Sequence, residues 1–387
     1  MKILLVNSIF YPAINWGGPI TATYDLARKL AEDGQEVMVY TSDALDYNIN
    51  MKIERKIRMA EGFEIRYFKN RSRHLKYFFT PGMIISILKN ANNFDIIHIN
   101  SYRQFQDMIS FFVLSFLKKP YVITAHGSVR VDGEGKLYKK TYDFFIGKKL
   151  LANAKKIIAF RKEQAEDYEK LNVKKEHIKI IPNTIDIEKL PEKGTLRKLL
   201  NLSDFEKIIL YLGRIDEKKG IGVLIEAFAK IKIENSHLII AGPDFNFKEK
   251  AENMIREFGI EDRVHFVGLL DKKRKYEAFA DADIVVYPSL YEAGISMVIL
   301  EAASVGKPLI ISESIGFSDE AKKFNAALTC KPNNKEDLQE KIEIMLNNLN
   351  EAKLMGLRAQ KVVKERFSWE FGLKEHISIY KNILKNY

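Results

Sequence analysis

The sequence has 387 residues, of which 46% are hydrophobic and 29% charged, a composition typical of a globular chain with two or three domains. It excludes a disordered, collagen-like or disulfide-stapled protein, and the single cysteine, Cys330, excludes both an intrachain disulfide and a zinc site built on several thiolates. The net charge is +11, and residues 1–190 supply most of it, with 31 Lys and Arg against 21 Asp and Glu.

The chain opens with a short apolar segment. Residues 2–7 are predicted to form a buried strand, because Asn7 ends the apolar run early and no cleavage site of a signal peptide follows. A glycine-rich loop and a segment of helical periodicity come next, and residues 36–41 are the second strand. This order is typical of a βαβ unit and predicts a parallel sheet.

The same alternation recurs to the end of the chain. Residues 186–206 are polar and aperiodic, and we expect them to form a linker between two domains. The sequence thus predicts an α/β fold of two doubly wound parallel-sheet, Rossmann-like domains that face a ligand-binding cleft. Further strands are predicted at residues 95–99, 121–125, 156–159, 178–181, 208–212, 237–241, 264–267, 284–287 and 309–311.

The loop after predicted strand 208–212 carries two cations. Arg214 lies just past the strand end, where ligands of parallel sheets gather, and Lys219 precedes Gly220 and the next helix. A guanidinium and an ammonium group on one loop can bind the two phosphates of a nucleoside diphosphate. A charged surface loop is the alternative, and it accounts for Lys218 better than for Arg214.

Two carboxylates follow the predicted strand 284–287. Glu292 lies in a loop, and Glu301 lies about one turn into a helix for which Ser296 is a candidate N-cap. Carboxylates accept hydrogen bonds from sugar and ribose hydroxyls, and a helix N-terminus favours a diphosphate. This arrangement favours a sugar nucleotide that contacts Glu292, Gly294, Ile295, Ser296 and Glu301. The alternative is that both glutamates are ordinary surface residues, which is unremarkable for one of them and less so for two.

The first half offers two further candidates. Gly17 and Gly18 precede the first predicted helix, whose free N–H groups favour phosphate, although a glycine turn that only permits close packing is the alternative. The loop matches neither the dinucleotide-binding nor the P-loop motif. His126 follows predicted strand 121–125 and is a candidate hydrogen-bond donor to substrate.

Two other patterns are expected to be structural. Asp281 and Asp283 have the spacing of a metal-binding pair, but they precede a predicted strand instead of following it, away from the edge where ligands bind. His98 lies within an apolar strand, which favours a hydrogen-bonded core histidine.

Together these motifs resemble those of the family 4 glycosyltransferases, retaining enzymes that use nucleotide sugars and have the GT-B fold. The resemblance runs along essentially the whole chain. Each motif is weak by itself, but the order in which they occur is specific to the family. These motifs are the Gly17-Gly18 loop, residues 95–98, His126-Gly127, residues 181–186, Gly213-Arg214 to Lys219-Gly220, residues 267–268, Pro288-Ser289 to Glu292, Glu301-Ala302 and residues 367–370.

The resemblance implies a role for each matching residue. Arg214 and Lys219 would neutralise the donor diphosphate, Glu301 would hold the ribose, and Glu292 and His126 would contact the transferred sugar. Gly17 would let the backbone approach the phosphate, and the family needs no metal and no cofactor besides the donor substrate. Eight residues separate Glu292 from Glu301 where the family usually has seven, and a bulge in the loop is expected to absorb the extra residue.

The expected domains are an acceptor-side domain over residues 1–190, a nucleotide-sugar domain over 191–370, and a C-terminal helix over 371–387 that packs back on the first. The leading hypothesis is a retaining hexosyltransferase acting on a glycan or lipid-linked acceptor. One alternative is a sugar-nucleotide epimerase or hydrolase that uses His126 and Glu292 as acid and base. A basic RNA-binding protein is a remote alternative, because no nucleic-acid-binding module is recognisable.

Residues 66–79 alternate basic and aromatic side chains. This pattern predicts peripheral association with an anionic membrane surface, with the rings inserted at the interface. The alternative is a basic loop whose aromatic rings pack inward. A cytoplasmic protein is expected, because the sequence has no apolar run of membrane-spanning length and no signal peptide is recognisable.

Overall fold

A computed structural model describes residues 1–13, 18–46, 49–52, 57–72, 78–130, 135–291 and 295–387; for residues 57–59 it describes the backbone alone. The chain divides into two compact units. The first comprises Met1–Asn183 together with Gly372–Tyr387, and the second comprises Thr184–Phe371. The boundaries expected from the sequence fall after residues 190 and 370.

The first unit contains an eight-stranded sheet in the order β3-β4-β2-β1-β5-β6-β7-β8. All neighbouring strands are parallel except β3 and β4, which form an antiparallel pair at one edge. The strands are β1 (Lys2–Val6), β2 (Glu36–Ser42), β3 (Ile57–Ala60), β4 (Phe63–Phe68), β5 (Ile96–Ile99), β6 (Tyr121–Thr124), β7 (Lys156–Ala159) and β8 (Ile178–Ile180). The helices are α1 (Gly18–Glu32), α2 (Pro81–Asn90), α3 (Phe105–Phe116), α4 (Lys136–Tyr142), α5 (Lys148–Asn153) and α6 (Lys162–Glu169).

The second unit contains a six-stranded, fully parallel sheet in the order β11-β10-β9-β12-β13-β14. Its strands are β9 (Lys207–Leu212), β10 (Ser236–Ala241), β11 (Val264–Gly268), β12 (Ile284–Tyr287), β13 (Leu309–Ser312) and β14 (Leu328–Cys330). Its helices are α7 (Thr195–Leu199), α8 (Ile221–Ala229), α9 (Lys248–Phe258), α10 (Lys272–Asp281), α11 (Met297–Ser304), α12 (Ser318–Phe324), α13 (Lys335–Asn347) and α14 (Leu349–Arg366). The last helix of the chain, α15, spans Trp369–Lys385.

Central strands such as β1, β5, β9 and β12 are near-continuous apolar runs, because helices cover both faces of a parallel sheet. The predicted linker over residues 186–206 is not a free connection. It includes α7, whose Leu196 and Arg197 are buried in the second unit. The backbone N–H groups of Gly194, Leu196 and Arg197 donate to the carboxylate of Asp281, which caps α7.

The C-terminal part of α15 is anchored in the first unit by polar contacts. His98 bridges Tyr380 Oη on α15 (2.7 Å) and Thr124 Oγ1 on β6 (2.8 Å), and Lys179 pairs with Glu375 at 2.6 Å. His98 is fully buried, so the predicted core role of this histidine is confirmed. Burial lowers the pKa of His98 well below its usual range, and it lowers the pKa of the neighbouring His376 to about 4.

The depressed pKa of His376 predicts a pH-dependent contribution to stability. Below pH 6.5 the unfolded chain binds a proton that the folded chain excludes, so stability is lost as the pH falls from 6.5 towards 4. We expect the stability advantage of the wild type over His376→Gln to shrink by about 2 kcal/mol between pH 7 and pH 5.

Urea unfolding at the two pH values measures this difference. Burial raises the pKa of Asp107 to about 7, so this carboxyl increases the free energy of unfolding as the pH falls. Because both proteins contain Asp107, comparing the wild type with the variant cancels its effect. His177→Gln, in the short turn before β8, is the control. A change for His376→Gln no larger than that for His177→Gln would contradict the prediction.

Candidate active site

The loop after β9 fixes the two predicted cations in different ways. Arg214 is exposed, and its guanidinium carbon lies 4.8 Å from the ring centroid of Phe245. Lys219 is only 8% exposed, and its Nζ lies 5.8 Å from the ring centroid of Tyr287 on β12. A lysine is rarely buried to this extent without a structural or binding role, so a solvated surface loop does not account for Lys219.

Two stacked tyrosines support this loop from neighbouring strands. The rings of Tyr211 on β9 and Tyr287 on β12 lie 5.8 Å apart and are nearly parallel, at 5°. The hydroxyl of Tyr211 donates to the carbonyl of Arg214 at 2.8 Å. Gly213 passes so close that a Cβ atom would lie 2.9 Å from Tyr211 Oη. The backbone that carries Arg214 is therefore held by packing and by a hydrogen bond.

The loop after β12 is joined to the loop after β9. The backbone N–H of Leu290 and the hydroxyl of Ser289 donate to the carbonyl of Lys218, at 2.9 and 3.2 Å. Gly220 has φ +73°, and a Cβ atom there would lie 2.2 Å from the carbonyl oxygen of Pro288. Only glycine fits this conformation and this approach without strain. The loops at the carboxyl ends of β9 and β12 are thus joined by hydrogen bonds and by close packing.

Glu301 lies on α11, partly buried, and its carboxylate pairs with the ammonium group of Lys275 on α10. Ser296 occupies the N-cap position of α11, as predicted, but its side chain makes no capping hydrogen bond. Ile295 is largely buried. Glu292 and Gly294 lie outside the described residues, so the bulge predicted between Glu292 and Glu301 stays a prediction.

His126 directly follows β6 and adopts a left-handed backbone conformation, with φ 47°. Its ring lies 5.3 Å from that of Phe160, and its Nε2 lies 3.4 Å from the hydroxyl of Thr23 on α1. That hydroxyl already donates to the carbonyl of Pro19 at 2.9 Å, so His126 Nε2 is the donor in this long contact. Burial lowers the pKa of His126 to about 4. The imidazole is therefore neutral at pH 7 and can donate a hydrogen bond without carrying a charge.

The glycine loop before α1 is described only from Gly18 onward. Gly18 is the first residue of α1 and is exposed, with open space where a Cβ atom would lie. Gly17 lies outside the described residues, so its predicted approach to a phosphate stays a prediction.

The acidic pair before β12 has a structural role. Asp281 caps α7, and Asp283 accepts hydrogen bonds from the backbone N–H of Ile208 at 2.8 Å and from Arg197 at 3.2 Å. Both carboxylates are thus used within the fold. Within the described ranges, no three His, Cys, Asp or Glu side chains are grouped in a way that could hold a metal ion.

The segment 66–79 does not present its described rings to a membrane. Tyr67 and Phe68 belong to β4 and are buried, as is Phe78. Asn70 Oδ1 accepts hydrogen bonds from Ser72 and from the backbone N–H of Phe79, which folds the described ends of the segment together. For Tyr67, Phe68 and Phe78 the prediction of interfacial rings is wrong, and the inward-packing alternative holds. Residues 73–77 lie outside the described part, so the prediction stays a prediction there. No helix in the described part is long and apolar enough to span a bilayer.

Sequence reasoning missed the partner of Glu301 and the stacked tyrosines. Lys275 lies on a helix rich in lysine, and only the folded structure distinguishes it from its neighbours. Tyr211 is the next-to-last residue of β9, and Tyr287 is the last residue of β12. Aromatic residues at strand ends that precede candidate loops were the available signal.

Comparison with known proteins identifies the family. The model of the group 1 glycosyl transferases matches residues 192–362, and the model of glycosyltransferase family 4 matches residues 16–189. The chain is a family 4 glycosyltransferase. Its GT-B fold, predicted from the resemblance, is confirmed.

Similarity to other glycosyltransferases extends over nearly the whole chain. An uncharacterized glycosyltransferase of Methanocaldococcus jannaschii is 27% identical, with 98% of both chains covered. The N-acetyl-alpha-D-glucosaminyl L-malate synthase of Bacillus anthracis is 24% identical, with 99% of this chain and 98% of that one covered. Among solved structures, the Anabaena protein HepE in complex with UDP has a TM-score of 0.75 at 18% identity, over 100% of this chain and 99% of that one.

Proposed function

We propose that this glycosyltransferase moves a hexose-type sugar from a nucleoside diphosphate to an acceptor hydroxyl, with retention of the anomeric configuration. The observation that carries the proposal is the preorganised pair Arg214 and Lys219 at the carboxyl end of β9. One of these cations is exposed and stacked on a ring, and the other is buried. Such a pair suits a leaving group that gains negative charge as its bond to the sugar breaks.

The proposed reaction needs no general base from the protein, because the leaving group accepts the proton of the acceptor hydroxyl. The bond between the anomeric carbon and the diphosphate oxygen breaks, and the acceptor oxygen bonds to the same face of that carbon. The acceptor proton passes to the departing phosphate oxygen. The protein therefore contributes positioning and charge stabilisation, and Arg214 and Lys219 stabilise the diphosphate.

The remaining candidate residues receive supporting roles. Glu301 would accept hydrogen bonds from the ribose hydroxyls, and its contact with Lys275 would orient the carboxylate. Neutral His126 has a single N–H, and it would turn this donor from its long contact with Thr23 to the transferred sugar. The family resemblance gives Glu292 a contact to the same sugar, and Gly17, Gly18 and residues 294–296 contacts to the donor. No metal ion is needed in this scheme.

The names and bound molecules of similar proteins support a nucleotide-sugar donor. HepE structures hold UDP or UDP-glucose, and the Arabidopsis starch synthase IV domain holds ADP and acarbose. The named relatives differ in acceptor, from an inositol phosphate to a lipopolysaccharide. We therefore propose a glycan or lipid-linked acceptor for the present chain on the grounds of its own surface, described below.

Nucleotide binding tests the donor site with a matched pair of lysines. UDP, GDP and ADP are titrated in a thermal-shift assay, in which a ligand that binds the folded state raises the melting temperature. We expect Lys219→Ala to weaken the best nucleotide roughly 10- to 100-fold, because a charged hydrogen bond contributes about 1.5–3 kcal/mol. Exposed Lys218, its neighbour in sequence, is the control, and Lys218→Ala should bind normally.

Three outcomes would contradict the proposal. The first is that no nucleoside diphosphate stabilises the protein, and the second is that the two lysine variants bind equally well. The third is that the corresponding nucleotide sugar is epimerised or hydrolysed rapidly without an acceptor, which would favour the epimerase or hydrolase. Transfer is assayed in EDTA, and the product anomer is assigned by NMR.

A further inference from the structure

An exposed apolar surface lies on the helical run that comprises α4, a π-helical turn (Asp143–Gly147) and α5. Leu137, Phe144 and Phe145 are 80%, 70% and 64% exposed, and the two phenylalanine rings lie 5.0 Å apart. Leu137 and Phe144 are seven residues apart, which places them on one face of a helix. Single exposed apolar residues are ordinary, whereas a group of them indicates a binding surface. We call residues 136–149 the α4–α5 surface.

The buried side of the same run holds the two rings outward. Asp143 accepts from the guanidinium of Arg103 at 2.5 and 3.0 Å and from the hydroxyl of Tyr102 at 2.8 Å. Tyr142 donates to Asp107 at 2.9 Å. Gly147 packs so tightly that a Cβ atom would lie 2.3 Å from Tyr102 Oη. A rotation that buried the rings would expose this ion pair and leave its hydrogen bonds unmade, so the exposure of the rings is built into the fold.

The α4–α5 surface is also basic. Its lysines are residues 136, 139, 140, 148 and 149, and its single acidic residue, Asp143, is buried and paired with Arg103. With Asp132 and Glu134 included, five lysines against three acidic residues leave residues 131–149 at +2. Exposed rings flanked by lysines suit the boundary between lipid headgroups and acyl chains, where the rings insert and the ammonium groups reach anionic headgroups.

The surface is connected to the loop that carries His126. Besides Asp143, Arg103 binds the carbonyls of Ser128 at 2.5 Å and Val129 at 2.7 Å. One buried guanidinium thus joins the π-helical turn to the segment that begins at His126. A membrane docked on the α4–α5 surface would be mechanically coupled to this candidate substrate-binding loop.

We propose that the α4–α5 surface docks the protein on an anionic lipid bilayer and thereby presents a lipid-linked acceptor. The docking stands on Leu137, Phe144, Phe145 and the lysines around them, and it replaces the role predicted for residues 66–79. Only the clause on the acceptor rests on the proposed transferase function.

Vesicle flotation of the full chain tests the docking without any turnover. Neutral phosphatidylcholine vesicles are compared with vesicles that contain roughly one-third phosphatidylglycerol. We expect the wild type to bind the anionic vesicles in preference. The double variant Phe144→Ser/Phe145→Ser should lower the partition coefficient at least about tenfold, and Lys148→Glu/Lys149→Glu should abolish the preference for anionic lipid.

Matched controls lie outside the surface. Phe205→Ser removes an 83% exposed ring from the second unit, and Lys174→Glu/Lys175→Glu reverses two exposed charges elsewhere in the first. Both should bind as the wild type does, and cooperative urea unfolding should confirm that every variant is folded.

Equal binding of the wild type to both vesicles, or binding to neither, would overturn the proposal. So would an equal loss in the control variants. A wild-type dimer that ignores vesicles and becomes a monomer on Phe144→Ser/Phe145→Ser would identify the surface as a contact between copies instead. Any of these results leaves the donor-site proposal intact, because nucleotide binding is measured separately.

Discussion

Arg214→Ala is expected to lower turnover by about two to three orders of magnitude, the usual effect of removing a preorganised group that stabilises developing charge. The backbone of Arg214 is held by the hydroxyl of Tyr211 and its guanidinium by the ring of Phe245. The group therefore need not reorganise as the leaving diphosphate gains charge. The loss should appear mainly in kcat, because it concerns a charge that grows in the transition state.

Steady-state kinetics with the donor identified by nucleotide binding measure the effect. Arg263→Ala is the control, because Arg263 also lies 4.8 Å from a phenylalanine ring, that of Phe228, in the same unit. Arg214→Lys should recover only part of the activity, since an ammonium group lacks the planar fork that binds two phosphate oxygens. Near-normal turnover of Arg214→Ala would remove this residue from the mechanism.

The central strands could be predicted from the sequence because they are buried on both faces. Strands such as β1 and β9 are therefore continuous apolar runs bounded by polar residues. The antiparallel β3–β4 pair was missed, although Phe63, Ile65 and Tyr67 alternate with more exposed residues in β4. The alternation is present in the sequence, but the basic and aromatic residues 66–79 overlap the end of β4 and also fit an interface segment, so the local pattern does not decide between the two.

The position of the candidate donor loop could be predicted because the loop is local. Arg214, Lys219 and Gly220 occur within one short segment after β9, so their place at the strand end followed from the sequence, and their role in binding stays a prediction. Lys275 and Glu301 lie on two different helices and are 26 positions apart in sequence, and no local pattern encodes their contact. The same holds for Arg103 and Asp143, which are 40 positions apart. Phe144 and Phe145 follow Asp143 in the chain, and no local pattern in the sequence indicates that their rings are exposed.

Gly220→Ala should lower both the stability of the fold and the affinity for the donor. A second glycine, Gly259, distinguishes the effect of backbone strain from the effect of the clash with Pro288. Gly220 and Gly259 both have left-handed backbones, with φ +73° and +63°, but only at Gly220 would a Cβ atom meet another group, the carbonyl of Pro288 at 2.2 Å. Left-handed strain alone costs about 1–2 kcal/mol, so Gly259→Ala should lose that amount of unfolding free energy. Gly220→Ala should lose about 1–3 kcal/mol more, because Pro288 must move.

The movement of Pro288 is what connects this substitution to function. Leu290 and Ser289 are hydrogen-bonded to Lys218, the neighbour of Lys219, so displacement of Pro288 disturbs both loops at once. Urea unfolding and nucleotide titration of the two variants should therefore diverge. Gly259→Ala should bind the nucleoside diphosphate normally, whereas Gly220→Ala should bind it at least about tenfold more weakly, equivalent to about 1.4 kcal/mol. Equal unfolding costs, or normal binding by Gly220→Ala, would mean that the close approach of the two loops does not shape the donor site.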